Sequence, residues 1–558
     1  MGESTATSSA DGSSATAAGG TAIGAAVAIT YANLLLDATI NAPVSAVGVS
    51  TSATVPTATN QFGASATSGA GGGDLGVAGS IAITVIEILA DAMINATISA
   101  GGGNVNSTAS STSITVTEAL PGEDGISGTK TGVGVSFALS VIDDVVTAGI
   151  ADGVGVSGGD DILIAGHTSH DTTTTAKTGA KGATAVAPAI AITISNVTTR
   201  ASLGFNGGIT VAVGDVSVIA EQDAQAKTIA SGDTEGSDTS VGIALAFTYA
   251  VHTVEALVKR SLNAAGTITV TALGASVVTA DATASAAGSP QETGSTPANG
   301  VDQQVAGERA NADTVATGAG AQGTQAGNGT PSASNSSGTV SVAAAIGISL
   351  GWSTSRAAIL TGLVIVAGGA IIIESGARTT VTAKADGSAK TSNADATTVG
   401  VAVAIAYADN TNQATVGTAT TLAANGISTV ARNRDGPDAG TDPDAHSFGA
   451  TSVSGASGGK TGVAGSLSLT IVISRTTAAL DAASVNAGAG DVTLNATYLS
   501  STTTSAKAGG FDTPAANTGV GLSVALSIID TDTIARIATA PCCWGPTTSR
   551  SPRPPPMR

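Results

Sequence analysis

The sequence predicts an all-β protein: an elongated β-solenoid-like rod of about nine repeats of about 55 residues each, built from stacked β-arch or β-hairpin units. Three observations predict it. A stretch of alternating large and small residues recurs nine times, an alanine follows each copy at a fixed distance, and no sustained helical periodicity occurs. Tandem antiparallel β-sandwich-like units are the alternative architecture.

The recurring stretch is clearest at 401–416, VAVAIAYADNTNQATV, in which we take Ile405 as position 0. Large apolar residues stand at positions −2, 0 and +2 of every copy, with small residues between them. Position 0 is occupied by Ile29, Ile83, Leu139, Ile192, Phe247, Ile348, Ile405, Leu469 and Leu526. We expect stacked copies to bury these large residues as ladders, each contributing roughly 25 cal/mol per Å² buried, and the thin face to let layers approach closely.

Two further positions are constant: alanine at +9 and an aliphatic residue at +11, which are Ala414 and Val416 in the reference copy. In one unbroken strand, positions 0 and +9 would face opposite sides. We therefore expect a chain reversal between them, so that Ala414 faces Ile405. Position +4 is Asn, Asp or Glu in six of the nine copies, and Asn and Asp favour turns. A hairpin and an arch both satisfy this parity.

The spacing between copies predicts the domain organisation. Successive positions 0 lie 54, 56, 53, 55, 101, 57, 64 and 57 residues apart. The long spacing predicts a flexible Gly/Ala/Ser/Pro-containing insertion at 283–338, between repeats 1–5 (1–282) and repeats 6–9 (339–539). The spacing of 64 predicts an acidic loop at 432–446. Residues 540–558 hold six of the 16 prolines and both cysteines, which is typical of a disordered tail or of a truncated or frame-shifted reading frame.

Composition argues against several functions. The chain carries 40 acidic and 21 basic residues, a net charge of −19, whereas nucleic-acid binding needs clustered Lys and Arg. Both cysteines lie in the tail, so the repeats contain no disulfide or thiolate metal site. The uncharged stretch 357–373 contains the repeat's Ala357 and Ile359, and we therefore expect strands there rather than a membrane span. We assign no catalytic, cofactor-binding or metal-binding residue and expect no enzymatic activity.

Three clusters of residues are candidate sites. In HTSHD (167–171), His167 and His170 would point to opposite faces of a strand, which disfavours a shared metal. Asp143 and Asp144 occupy a recurrent turn position rather than an acid–base pair. The acidic loop offers four carboxylates that suit calcium, although a solubilising role is favoured. These carboxylates belong to Asp435, Asp438, Asp442 and Asp444.

The stretch GVGVSFALSVIDDVVTAGIADG (132–153) and its eight relatives cover nearly all of 20–539. On these repeats the chain resembles giant bacterial surface proteins of the β-strand-repeat, adhesin or filamentous-haemagglutinin-like type. The resemblance implies a secreted or cell-surface location and a non-enzymatic structural or adhesive role. Its partners would be a host or matrix surface, a glycan, or another copy of the chain. No leader is recognisable in residues 1–20.

Two other functions remain open. A β-helix carbohydrate-active enzyme would need carboxylates and Lys or Arg converging on one groove. A surface-binding array for ice or mineral is suggested by the threonine runs at 172–175 and 502–504.

Overall fold

The computed structural model describes residues 5–54, 60–211, 214–286, 339–391, 393–434, 445–509, 517–537 and 542–544. Every regular element in these ranges is a β-strand, which confirms the predicted all-β class. The strands before the long spacing are β1 (Thr5–Asp11), β2 (Ser14–Ala15), β3 (Thr21–Ile40), β4 (Val44–Ala46), β5 (Val49–Thr54), β6 (Asn60–Ile94), β7 (Ile98–Ala100), β8 (Val105–Ile150), β9 (Val156–Gly159), β10 (Ile162–Leu203), β11 (Ile209–Val211), β12 (Val216–Val258), β13 (Leu262–Ala264) and β14 (Ile268–Ala286).

The strands after it are β15 (Val340–Ile359), β16 (Val364–Ala367), β17 (Ile371–Lys390), β18 (Thr397–Val416), β19 (Thr421–Ala423), β20 (Ile427–Asn433), β21 (His446–Ser457), β22 (Thr461–Leu480), β23 (Ser484–Asn486), β24 (Val492–Ala496), β25 (Ser500–Gly509), β26 (Thr518–Ile537) and β27 (Cys542–Trp544). The short strands β4, β7, β9, β11, β13, β16, β19, β23 and β27 form one sheet of nine strands, and the other 18 form a second sheet.

Strands pair in parallel with the equivalent strands of the neighbouring copies. In β18, Ile405 lies opposite Ile348 of β15 on one side and Leu469 of β22 on the other. All pairings among the described residues are parallel. The antiparallel sandwich alternative and the β-hairpin unit are therefore wrong, because both require antiparallel neighbours.

Each copy contains two long segments. In the reference copy, the first segment is Thr397–Val416, positions −8 to +11. The short strand Thr421–Ala423 follows it, and the second segment, β20 and β21, ends at Ser457. Gly458 and Gly459 then turn the chain into the next copy with φ of 75° and 72°, a left-handed conformation that glycine adopts without steric cost.

The predicted reversal between positions 0 and +9 is wrong. The first segment is one unbroken strand, in which Ile405 faces outward and Ala414 is fully buried. Position +4 lies in mid-strand rather than in a turn. Its polar side chains bond to the neighbouring copy instead of to their own backbone: Asn33 Nδ2 donates to Glu87 Oε2 at 3.0 Å, and Asn196 Nδ2 donates to Asp143 Oδ1 at 3.0 Å.

The interior is filled by the small residues, and the prediction that the large ones are buried is wrong. Ala402, Ala404 and Ala406 are at most 1% exposed, and they belong to a core cluster made almost wholly of alanine. Two layers lined with alanine, serine and threonine approach too closely to hold isoleucine between them. This close approach of the two layers is what the small residues of this face predict. A wider core of Ile, Val and Leu lies at the other end of the segments, beside the short strands.

The predicted interruptions lie mostly outside the described residues. Of the insertion at 283–338, only 283–286 are described before Thr339, and they end β14. Across this gap β12 pairs with β15 over 20 positions, so the sheet continues. Of the acidic loop at 432–446, Arg432 and Asn433 belong to β20 and His446 to β21, whereas its four aspartates are not described. In the tail at 540–558, Cys542–Trp544 pair with β23 and continue the short sheet, whereas the other tail residues lie outside the described residues.

Candidate functional surface

The outer side of the first segments forms a continuous apolar surface. It consists of positions −6, −4, −2, 0 and +2 in all nine copies, and we call it the apolar face. In the first copy these positions are Ile23, Ala25, Val27, Ile29 and Tyr31. At each of the 45 positions the residue is Val, Ile, Leu, Phe, Tyr, Pro, Ala or Gly. The face therefore carries no ionisable group other than the tyrosine hydroxyls.

These side chains are accessible along the whole length of the sheet. Ile29 is 59% exposed in the first copy, Ile81 39% in the second and Leu526 50% in the last. Equivalent positions pair directly, so each becomes a straight row across the strands. Neighbouring rows partly shield one another, but no other part of the described chain covers them.

Polar rows border the apolar face on both sides. At position −8 seven of the nine copies carry threonine, and the other two carry Leu75 and Val340. At position +4 the row includes four carboxylates, those of Glu87, Asp143, Asp409 and Asp530. Trp352, in this second row, lies between Tyr249 and Tyr407 of the apolar face, with its ring centroid 5.0 and 5.2 Å from theirs. The apolar rows are thus bounded mainly by hydroxyls on one side, and on the other by six carboxylate or amide side chains together with Val251, Trp352 and Ile473.

The outer side of the second segments is polar. Arg432 Nη2 lies 2.8 Å from Glu374 Oε1, and Gln225 Nε2 donates to Asp171 Oδ1 at 2.8 Å. Burial raises the pKa of the Asp171 carboxyl, and the bond from Gln225 opposes that shift. The two outer sides of the chain therefore differ sharply in polarity, although both come from the same repeat.

A chain of buried hydroxyls runs through the interior from copy to copy. Each donates to the previous one over 2.6–2.8 Å, alternating between the two layers. Its members are Thr84, Thr117, Ser140, Thr174, Thr193, Thr228 and Thr248. Burying a polar group costs free energy unless it is hydrogen-bonded, so this series of bonded hydroxyls fixes the stacking of the copies.

Three of the four histidines are interior groups. His170 Nδ1 lies 2.6 Å from Ser113 Oγ and 3.3 Å from Asp144 Oδ2, and its Nε2 lies 2.7 Å from Thr172 Oγ1. One ring nitrogen thus contacts both Ser113 and Asp144, which differs from a catalytic triad, where the base uses opposite nitrogens. The side chains of His170 and Asp144 are fully buried.

Burial also governs the other two interior histidines. It lowers the pKa of His252 to about 3, with a smaller contribution from His170, and lowers that of His446 to about 4. Both rings are therefore neutral at physiological pH. His252 Nδ1 is bonded to Ser276 Oγ at 2.7 Å, as expected for a structural group.

The structure does not bring together the candidate site residues identified in the sequence. His167 is exposed near Glu221, whereas His170 is buried, so the two lie on opposite faces as the period of two predicts. Asp143 and Asp144 are divided in the same way. Over the described residues there is no group of three or more His, Cys, Asp or Glu side chains placed to hold a metal ion.

An open groove of about 500 Å³ lies where the second segments turn into the first segments of copies 2 to 5. Its lining is largely Gly, Ser and Thr, with Lys181 and Glu235 in an ion pair of 2.8 Å. Glu235 is the carboxylate among the lining residues, whereas glycoside hydrolysis ordinarily uses two.

Comparisons of the chain with protein-family models, with curated proteins and with solved structures found no match. Among the described residues, no helix has the length and hydrophobicity needed to cross a membrane.

The sequence analysis did not predict that the large alternating residues face outward. The sequence does contain a signal for it: position +9 is always alanine and position +11 always aliphatic. This pattern is expected of a buried face whose residues become larger towards one end of the strand. Extending the strand through position +4 would have placed these two positions inside and the large alternating residues outside.

Proposed function

We propose that this chain is a non-enzymatic structural or adhesive segment of a secreted or cell-surface bacterial repeat protein, wound as an elongated β-solenoid-like rod. The observation that carries the proposal is the in-register parallel pairing of equivalent positions through all nine copies. At a strand spacing of about 4.8 Å, nine stacked copies extend for about 40 Å and present each position as a row. Regular outer rows of this kind suit attachment over an extended surface.

The alternatives find less support. The groove offers one carboxylate, already paired with a lysine, where a carbohydrate-active enzyme would need a convergent set. The threonine run at 172–175 is divided, since Thr172 and Thr174 are buried while Thr173 faces outward. A flat lattice for ice or mineral would need such threonines on one side.

Adhesion is the test. Beads coated at a density too low for the attached copies to pair are expected to be retained under flow on alkyl-coated glass, because the apolar face is then free as the broad contact surface. A variant with Ile192→Lys and Ile348→Lys on that face should lose most of the retention. Its matched control carries the same added charge on the polar outer side, as Thr173→Lys and Thr382→Lys, and should adhere like the parent.

Solution scattering is measured on the same samples. A particle about 40 Å along the stack and about 66 Å along the 20-residue strands supports the stacked β-solenoid-like form, whereas a compact globular particle contradicts it. Equal retention of both variants would contradict adhesion through this surface.

A further inference from the structure

We propose that the apolar face is a self-association surface on which a second copy of this chain docks, forming a closed dimer of two parallel rods. The inference rests on the proposed rod function for its geometry and adds the partner. A face that is apolar at all 45 positions is unusual, because soluble monomers rarely expose contiguous apolar patches larger than a few hundred Å².

The area of the face suits a stable dimer. Nine strands about 4.8 Å apart and nine residues of about 3.3 Å each give a surface of about 1,200 Å² per copy. Burying it on both partners removes about 2,400 Å² in total, within the range of obligate homodimer interfaces. Two such flat sheets pack face to face about 10 Å apart, as in sandwich cores.

The spacing of the rows identifies the partner. Each row repeats at the strand spacing, so the ridges and grooves of the face recur every 4.8 Å or so along the rod. A second copy has the same period, and its side chains can interdigitate along the whole length. A lipid surface has no such period, and the face offers no Lys or Arg to hold anionic headgroups.

The bordering rows determine the direction of the partner. If the two-fold axis runs along the rod, the +4 row of one copy faces the −8 row of the other. Asp143, Asp409 and Asp530 then face threonines, whose hydroxyls can donate to the carboxylates. The fourth carboxylate, Glu87, faces Leu75 and keeps the bonds that Tyr31 and Asn33 donate to it. In the same arrangement Trp352 faces Val340, an apolar residue in an otherwise threonine-rich row.

The opposite direction is disfavoured. If the axis runs along the strands, the +4 row faces its own equivalent in reverse order. Asp143 of one copy would then face Asp409 of the other, and like charges would oppose each other across the interface. The pattern of the two rows therefore selects parallel rods.

Sedimentation equilibrium of the full chain at micromolar concentration tests the association. We expect a dimer for the parent and for the control variant Thr173→Lys/Thr382→Lys. The variant Ile192→Lys/Ile348→Lys is expected to be monomeric with an unchanged circular dichroism spectrum. A second face variant, Leu245→Glu, guards against a folding defect in the first.

A fluorescence measurement provides an independent readout. With Trp544→Phe, Trp352 is the sole tryptophan, and its emission should shift to longer wavelength on dilution as the dimer separates. The Leu245→Glu variant should show the long-wavelength emission at every concentration.

Cross-linking tests the direction, in a chain whose two cysteines are replaced by serine. Copies carrying Asp143→Cys are mixed with copies carrying Thr131→Cys. A bis-maleimide linker of about 10 Å, the sheet-to-sheet distance, should join the two kinds of copy. The pair Asp143→Cys with Asp409→Cys should remain uncrosslinked. The reverse result would overturn the parallel arrangement.

A monomeric parent overturns the proposal, whether or not the chain binds phosphatidylcholine vesicles, and vesicle binding by the monomer would assign the face to lipid. An open-ended series of oligomers, or a face variant that still dimerises, overturns it as well. A monomer that adheres and has the scattering dimensions of the stacked copies refutes this inference alone, whereas a globular particle refutes the proposed function.

Discussion

Ile405 and Ala414 lie nine residues apart on the same unbroken strand and face opposite sides of it. Ile405 contributes to the apolar face, and Ala414 is 0% exposed in the interior. Ala414 is paired with Ala357 and Ala478 of the neighbouring copies, so alanine forms a continuous row there. Ala414 lies in the core of Ile, Val and Leu, where a larger side chain would have to displace the buried residues packed around it.

Replacing Ala414 with leucine should destabilise the chain by about 1–3 kcal/mol, because the added carbons overpack a closed interior. The control is Ala344→Leu, the same change on the apolar face, for which we expect less than about 0.5 kcal/mol. Denaturant unfolding measures both. Equal effects at the two positions would show that the interior is not closely packed around Ala414.

Replacing Thr174 with valine should cost about 1–3 kcal/mol. Thr174 Oγ1 donates to Ser140 Oγ at 2.7 Å and accepts from Thr193 Oγ1 at 2.7 Å, so valine leaves both neighbours with a lost bond in the interior. Thr173→Val, one residue away and facing outward, is the control and should change stability by less than about 0.5 kcal/mol. Unfolding midpoints that coincide would rule out an energetic role for the hydroxyl chain.

Arg260 should be among the most sensitive positions. The residue is 1% exposed, and its guanidinium donates to the carbonyl oxygens of Gly204 at 2.5 Å, of Val154, and of Ala151 at 2.7 Å. Burial lowers the pKa of this group, and the charge of Asp152 opposes the shift. Arg260→Met removes the donors from three buried carbonyls and should cost about 3–5 kcal/mol.

Arg260→Lys should recover only part of this loss, since an ammonium cannot reproduce the planar fork. Arg200→Met tests an arginine on the outer surface, where its side chain is 41% exposed beside Glu255, and should cost less than about 1 kcal/mol. Thermal unfolding of the three variants checks the order.

Stability should fall on acidification below pH 6.5. The pKa values of His252, about 3, and His446, about 4, lie below the ordinary value of 6.5. The unfolded chain therefore binds protons that the folded chain excludes, and each ring contributes a loss of about 1.4 kcal/mol per pH unit between 6.5 and its folded pKa. Above pH 6.5 this contribution to stability is fully present.

Urea unfolding at several pH values between 7.5 and 4.5 measures the slope, and His252→Gln should reduce it. Burial raises the pKa of Asp386, whose contribution has the opposite sign: it favours the folded chain at low pH and declines as pH rises through the folded pKa. Asp386→Asn is therefore expected to steepen the acid loss. An unchanged slope in His252→Gln would mean that this ring is hydrated in solution.

The strands were predictable because alternation identifies them locally. Which face is buried was not, because that depends on the distance between the two layers: rows of alanine such as Ala402 and Ala404 let the layers approach until only small residues fit. The turn predicted from the polar residues at +4 was wrong for a related reason, since Asn196 bonds to Asp143 in the preceding copy, and only the stacking provides that partner. The apolar face depends on the same arrangement and could not be assigned before the buried face was known.

The acidic loop should be dispensable. On the neighbouring strand β17, Ala377 pairs with Asn433 and Thr380 pairs with Ser447, and two residues separate Ala377 from Thr380. Deleting 435–445 would likewise leave two residues, Arg434 and His446, between Asn433 and Ser447. The deletion therefore restores equal lengths in the two strands and should change stability by less than about 1 kcal/mol. It also shortens the spacing of 64 to 53, a value that another pair of copies already has.

Thermal melts with calcium and with chelator compare the parent, the deletion and a variant with the four loop aspartates changed to asparagine. We expect calcium to leave all three melting temperatures unchanged. If calcium instead raised the melting temperature of the parent but not of the asparagine variant, the loop would be a structural metal site. A loss of several kcal/mol in the deletion without any calcium dependence would show that the loop packs against the strands it joins.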